Sequence, residues 1–376
     1  MTILITHLFL QQYWWIIVSL LASLLVFLMF VQGGQSFIFS LPENDNQKTL
    51  IVNAMGRKWE FTFTTLVTFG GTFFASFPLF YATSFGGAYW VWIAILFSFI
   101  IQAVAYEFRS KPDNILGKKT FDIFLFINGS LGPLLIGTAV ATFFTGAMFT
   151  LNNENQVQWQ TKWYGLEALL DIRNIALGFA VLFLARINGL LYLINTIDDE
   201  SLRKRSVRRV TWNTIPFLVF FLFFVAAILL SDGLVVDQET GIVSIEKFRY
   251  LHNFLQMPFV LIIFLIGVIT VLYGIGVTIL KSGVKGIWCS GSGTIITVFA
   301  LFMIAGFNGT PFYPSQFDLQ SSLTITNASS SQFTLKTMMF VSFIIPFVLG
   351  YIWYAWKAIN NTKMTEAEMN SEEHKY

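Results

Sequence analysis

The chain has 376 residues, of which 55% are hydrophobic and only 12% charged, and its formal net charge is +2. That charged share is about half of what a soluble domain carries, which excludes a soluble globular enzyme. The net charge by itself says little, and no nucleic acid is expected as a partner.

Apolar stretches long enough to cross a hydrocarbon core recur along the whole sequence. They predict about nine transmembrane helices, at roughly 13–39, 61–84, 88–106, 121–149, 172–196, 213–231, 256–280, 287–307 and 337–357. The first lacks a basic leader and a small-residue cleavage site, so it reads as a span and not as a signal peptide. Within lipid every backbone polar group must be satisfied by the chain itself. The expected fold is therefore an all-α polytopic membrane protein, with an integral helical domain over 1–359. Residues 360–376 are polar and charged and are expected to form a disordered tail. Trp14, Trp15, Trp59, Trp90, Trp92, Tyr351, Trp353 and Trp356 lie near span ends and are expected in interfacial belts.

With nine spans the loops fall on two faces. Seventeen of the 23 basic residues lie on one face, five on the other, and Arg186 within a span. This asymmetry places the N-terminus outside and the C-terminus in the cytoplasm. The cluster Arg203–Arg209 is then an anchor on the cytoplasmic side.

The second span carries an unusual polar row. Glu60, Thr64, Thr68, Thr72 and Ser76 are each four apart, which puts neighbours on one helical face that drifts slowly around the axis. An acid at the mouth of a hydroxyl track points to proton or ion handling. Burial at the span end would raise the Glu60 pKa and suit a proton donor–acceptor; an interfacial acid facing water, or pairing with Arg57 or Lys58, is the alternative. Hydroxyls in membrane helices also bond back to the preceding turn and allow close packing. Thr72 and Ser76, beside Gly70–Gly71, are read as packing, and Thr64 and Thr68 as part of a wire.

In the third span Glu107 and Lys111 stand four apart, acid first, the favourable order for a helical ion pair. They form a span-end clamp or a proton-collecting mouth, with Gln102 about one turn deeper on a face similar to that of Tyr106. Arg186 in the fifth span is read as a deep interior cation needing a carboxylate, backbone carbonyls, a neighbouring subunit or a cofactor acid as partner. Gly283–Gly293 lacks the Lys-Ser/Thr ending of a phosphate loop and reads as a turn leading into a close-packed helix.

Cys289 is the only cysteine, and His7, His252 and His374 all lie near termini or in a loop. No cofactor-binding, metal or catalytic set is expected from this chain alone.

Trp59 through Lys111, with GGTFFASFPLFYATSFGGAY and YEFRSK, resembles subunit II of cytochrome bd-type quinol oxidases. The fourth span, INGSLGPLLIGTA, and the segment PSQFDLQSSLTITNASSSQFTL before the last helix continue the likeness. The resemblance implies a haem-free subunit of a bacterial cytoplasmic-membrane oxidase that reduces oxygen to water. Haems b and d and the quinol would lie in a partner, the haem-bearing subunit I, with room for a small accessory membrane subunit and for lipids. It further implies a cytoplasmic proton path through Glu60, Glu107 and Lys111, and Thr64 and Thr68 would extend it. Near the end of the first helix, where many members carry Asp-Gly-Phe-Asp, this chain has Gln32-Gly33-Gly34-Gln35, and amides cannot titrate. The rival readings are a secondary transporter or channel, and a pure scaffold subunit.

Overall fold

A computed structural model describes residues 6–111, 114–237, 240–359 and 364; the expected tail, Met364 apart, lies outside the described residues. Among these, eight helices are long and apolar enough to cross a membrane, and a sharply bent pair makes up to nine. The expected bundle is borne out. Helices α1 (His7–Leu28) and α2 (Phe30–Gln35) form the first span, and α3 (Asp45–Gly56) is an extra helix, capped by the Asn44 side chain accepting from Gln47 N.

The second span is not one straight helix. Helix α4 (Trp59–Ser76) stops at Phe77, and α5 (Pro78–Phe80) runs into a wide π-type turn, Tyr81–Gly87, bent by 118°. Pro78 supplies no N–H and its ring crowds the preceding turn, so the expected helix over 61–84 breaks there. Helix α6 (Tyr89–Phe108) follows as the third span.

Helix α7 (Lys118–Thr145) ends earlier than the expected 149, because Gly146 adopts φ +85 and the chain turns into the hairpin β1 (Phe149–Leu151) and β2 (Val157–Trp159). Helix α8 (Ile172–Thr196) has the expected bounds, started by the Asp171 side chain accepting from Arg173 N. Helix α9 (Glu200–Leu230) begins well before the expected 213, so the basic run Arg203–Arg209 forms helical turns. A second hairpin, β3 (Gly233–Val236) and β4 (Val243–Glu246), leads to α10 (Arg249–Gln256). Then come α11 (Pro258–Lys281), α12 (Gly286–Gly306), α13 (Gln332–Ser342) and α14 (Ile345–Ile359), the last two forming one span.

Helices α1, α8 and α12 are the most buried, while α9, α11 and the last span lie at the periphery. Glycine brings the central backbones together. A Cβ on Gly33 would stand 1.8 Å from the Ala185 carbonyl oxygen, and one on Gly189 would stand 2.3 Å from Gly34 N. Gly274 faces Ser290 N and Gly293 faces Val271 N in the same way, so the 283–293 glycines do serve close packing of α11 on α12.

Trp14 and Trp15 correct the interfacial expectation. Both are buried, their indole N–H groups donating to Leu335 O and Phe302 O, and Trp15 sits among Phe73, Phe77, Phe302 and Phe312. They belong to α1, which the bundle surrounds, so position near a span end does not bring them to the lipid. Trp92 is likewise buried, stacked on Phe85, whereas Trp90, Tyr351 and Trp353 are exposed as a belt requires.

Candidate functional site

Each step of four residues along α4 turns the direction by about 40°. Glu60, Thr64 and Thr68 are exposed, Thr72 is half-buried and Ser76 is fully buried. The row therefore starts on the outside of the bundle and winds into it. The face that α4 gives to its own chain is Thr62, Leu66, Phe69, Gly70 and Phe73. Of the two readings of Glu60, burial within the chain is not found; it faces outward from its own bundle. The hydroxyls of Thr68, Thr72 and Ser76 donate to the carbonyls of Thr64, Thr68 and Thr72 at 2.6 to 2.7 Å. Exposed Val67 and Phe74 flank the upper part of this face.

Lys58 is no partner for Glu60. Its ammonium turns inward, buried over the Trp356 ring at 4.2 Å. Trp59 stacks on Tyr106 with ring centroids 5.8 Å apart, which joins the start of α4 to the end of α6. Glu60 and Glu107 each follow one ring of that stack in sequence. Glu107 and Lys111 are both exposed and form the expected ion pair at 3.2 Å. No ion pair links them to Glu60 among the described residues.

Two groupings were not assembled from the sequence. Arg109 and Asp122, each almost fully buried, pair at 2.7 Å, and Lys48 reaches the other Asp122 oxygen at 3.5 Å. They line a pocket of about 400 Å³ with Lys118 and Lys119. Asp122 lies just inside the start of the fourth span, and the cost of intramembrane charge would have flagged it.

The second group is a buried amide cluster between α2, α6 and α7. Gln32 donates to Gln102 Oε1 at 3.3 Å, and Gln35 donates to the Tyr106 hydroxyl at 2.6 Å. Asn128 is buried as well, and Gln32 Oε1, Gln35 Oε1 and Gln102 Nε2 lack a partner. The cluster is built of amides, which make polar contacts but cannot carry a proton. The shared face of Gln102 and Tyr106 was legible from their spacing; that Gln32 and Gln35 of α2 pack against it was not.

Arg186, expected as a deep interior cation, meets the Phe37 ring just past the end of the first span. It is half-buried on α8, beside the last basic turn of α9, and no carboxylate pairs with it among the described residues. His252 binds Glu246 at 2.7 Å and His7 meets Ser330 O. No three His, Cys, Asp or Glu side chains gather among the described residues to hold a metal.

At the opposite end a cavity of about 330 Å³ is lined by Ser84, Trp92, Thr142, Glu167 and Tyr313, and burial pushes the Tyr313 phenol up to about 12. Nearby, burial alone would raise the Glu246 carboxyl, but hydrogen bonds from His252 and Arg249 outweigh it and hold the pKa below the usual value. A depressed carboxylate contributes stability above its unfolded pKa and loses it as pH falls through the folded value. Amide protection factors across Val243–Gln256, corrected for the intrinsic exchange rate, should accordingly fall on acidification below about pH 4.5, and Glu246→Gln should remove that dependence.

A family profile described as "Cytochrome bd terminal oxidase subunit II" matches residues 10–359. The chain belongs to that family. It is 27% identical over 374 residues to cytochrome bd-I ubiquinol oxidase subunit 2 of Escherichia coli K12, covering 95% of this chain and 96% of the relative. It is 26% identical over 359 residues to cytochrome bd ubiquinol oxidase subunit 2 of Bacillus subtilis, covering 92% and 94%. Among solved structures, a chain of the bd oxidase from Geobacillus thermodenitrificans matches with a TM-score of 0.63 and 11% identity, over 96% of this chain and 98% of that one. This last likeness concerns the fold alone. As a cytochrome bd subunit II the chain is a multi-pass protein of the bacterial cytoplasmic membrane and a component of a quinol oxidase complex.

Proposed function

We propose that this subunit II is haem-free, stabilises the haem-bearing subunit I, and provides one wall of the path by which protons reach oxygen reduction. Haems b and d and the quinol then belong to subunit I, and the basic end of the bundle faces the cytoplasm. A small accessory subunit and annular lipids are compatible with the free apolar perimeter.

The observation that carries this reading is the outward direction of Glu60, Thr64 and Thr68 on α4. A carboxylate and hydroxyls on a membrane-facing surface are costly unless another polypeptide or water covers them. Covered by subunit I, Glu60 becomes a shared titrating group at the interface. Glu107 and Lys111, across the Trp59–Tyr106 stack, are charges that can collect protons at the mouth. Thr64 and Thr68 orient water along the first turns but hold no proton themselves.

Oxygen consumption by intact complex tests this. Glu60→Ala should lower turnover at least tenfold with normal haem content, since a relay without its titrating group must use a slower route. Unchanged turnover would remove Glu60 from the path. The hydroxyls' bonds to their own helix favour a second reading, a pure scaffold; normal turnover in a Glu60/Glu107 double substitution would select it. Flux of another solute through a colourless lone chain would instead support a transporter.

A further inference from the structure

Arg186 is set by its neighbours at a definite height. Phe183 of α8 stacks on Phe220 of α9 at 6.1 Å, which fixes how the antiparallel pair lies side by side. About one turn nearer the basic end, Arg186 lies within electrostatic reach of Arg209, close to where α9 changes from basic to apolar. Its guanidinium lies 4.4 Å from the Phe37 ring centroid, and its Nε is buried without a hydrogen-bond partner. Arg209 approaches the same turn after α2, its Nη2 3.4 Å from Ser40 O, and is near enough to repel Arg186.

Two adjacent cations without a counter-charge are unfavourable, the more so when one is half-buried. Arg205, one turn away, shows the contrast: it pairs with Glu43 at 2.8 Å. Among the described residues no carboxylate pairs with Arg186 or Arg209. The described residues supply no counter-charge for this pair, so an anion from beyond them suits the site. Below the two guanidinium groups the partly exposed rings of Phe179, Phe183 and Phe220 stack in a row toward the apolar part of the bundle, and Trp212 is exposed beside them.

We propose that Arg186 and Arg209 hold the phosphate of an anionic phospholipid in the leaflet at the basic end, with an acyl chain along the phenylalanine row. The charge pair selects a phosphate, and a planar guanidinium offers it parallel N–H donors. The aromatic row explains why a lipid suits the site better than a free anion, for which an apolar floor serves no purpose.

The test is lipid retention by the purified oxidase complex after reconstitution in nanodiscs of mixed phosphatidylglycerol and phosphatidylcholine. Native mass spectrometry after detergent exchange should find phosphatidylglycerol retained over phosphatidylcholine, roughly tenfold less in Arg186→Gln and reduced in Arg209→Gln. Equal retention in wild type and Arg186→Gln overturns the proposal. So does displacement of the lipid by millimolar inorganic phosphate, which would indicate a free-anion site. Release of subunit I from Arg186→Gln with lipid retention unchanged would indicate a carboxylate of the partner chain. Should Arg186→Gln fail to assemble, the exposed Arg209→Gln carries the same comparison, and retention at the wild-type level overturns the proposal.

Discussion

Gly33→Ala should sharply reduce the yield of assembled oxidase and lower the unfolding temperature of what remains. The added Cβ would stand 1.8 Å from Ala185 O, 2.1 Å from Ala185 C and 2.6 Å from Arg186 N. These are backbone atoms of α8, the most buried span, so no flexible side chain can yield. Helices α2 and α8 must separate, and overpacking of that kind costs about 3 kcal/mol or more. The displacement would also move Gln32 and Gln35 from Gln102 and Tyr106, since all four rest on the placement of α2. Gly276→Ala is the control, because nothing lies within 4 Å of the Cβ it would add, and helix propensity favours alanine. Equal stability of the two variants would mean that the close approach of α2 to α8 does not hold the bundle together.

The second large effect is expected at Asp122. Its side chain is 4% exposed and that of Arg109 5%, so Asp122→Asn leaves a buried guanidinium without its carboxylate. Breaking a buried pair from one side costs about 3–5 kcal/mol. Lys48, less enclosed, can turn toward Asp45 at 4.0 Å and loses less. The Glu107–Lys111 pair provides the comparison: both side chains are more than half exposed, and Glu107→Gln should cost no more than about 1 kcal/mol in thermal unfolding of the complex. Replacing both Asp122 and Arg109 by apolar residues of similar volume should recover most of the loss, because the isolated charge is what destabilises. A single substitution as harmless as Glu107→Gln would refute this account of the pair.

Individual residues show where sequence reading reached and where it stopped. The bounds of α8 were legible because Asp171 caps one end and an unbroken apolar run follows. The break at Pro78 was also written in the sequence, but the run of hydrophobic residues across it masked the change of direction. The early start of α9 was hidden because its first turns are basic and add nothing to an apolar window, although they are regular helix. Trp15 and Trp353 have similar addresses near span ends, yet one is in the core and the other exposed. Glu60 was found by its spacing, but its direction was not.

The sequence by itself determined the number of spans within one, their approximate limits and the family, because partition of a segment into lipid depends on that segment's own composition. It also determined that Glu60, Thr64 and Thr68 share a side of a helix. Which side that is, which carboxylate meets Arg109, and how high Arg186 stands were decided only by the tertiary structure. The reason is that lipid tails and the bundle core are equally apolar, so hydrophobic periodicity that orients a helix in water cannot rotate one in a membrane. Rotation is fixed by contacts such as Gly33 on Ala185 and Gly189 on Gly34, and those exist only between segments remote in sequence.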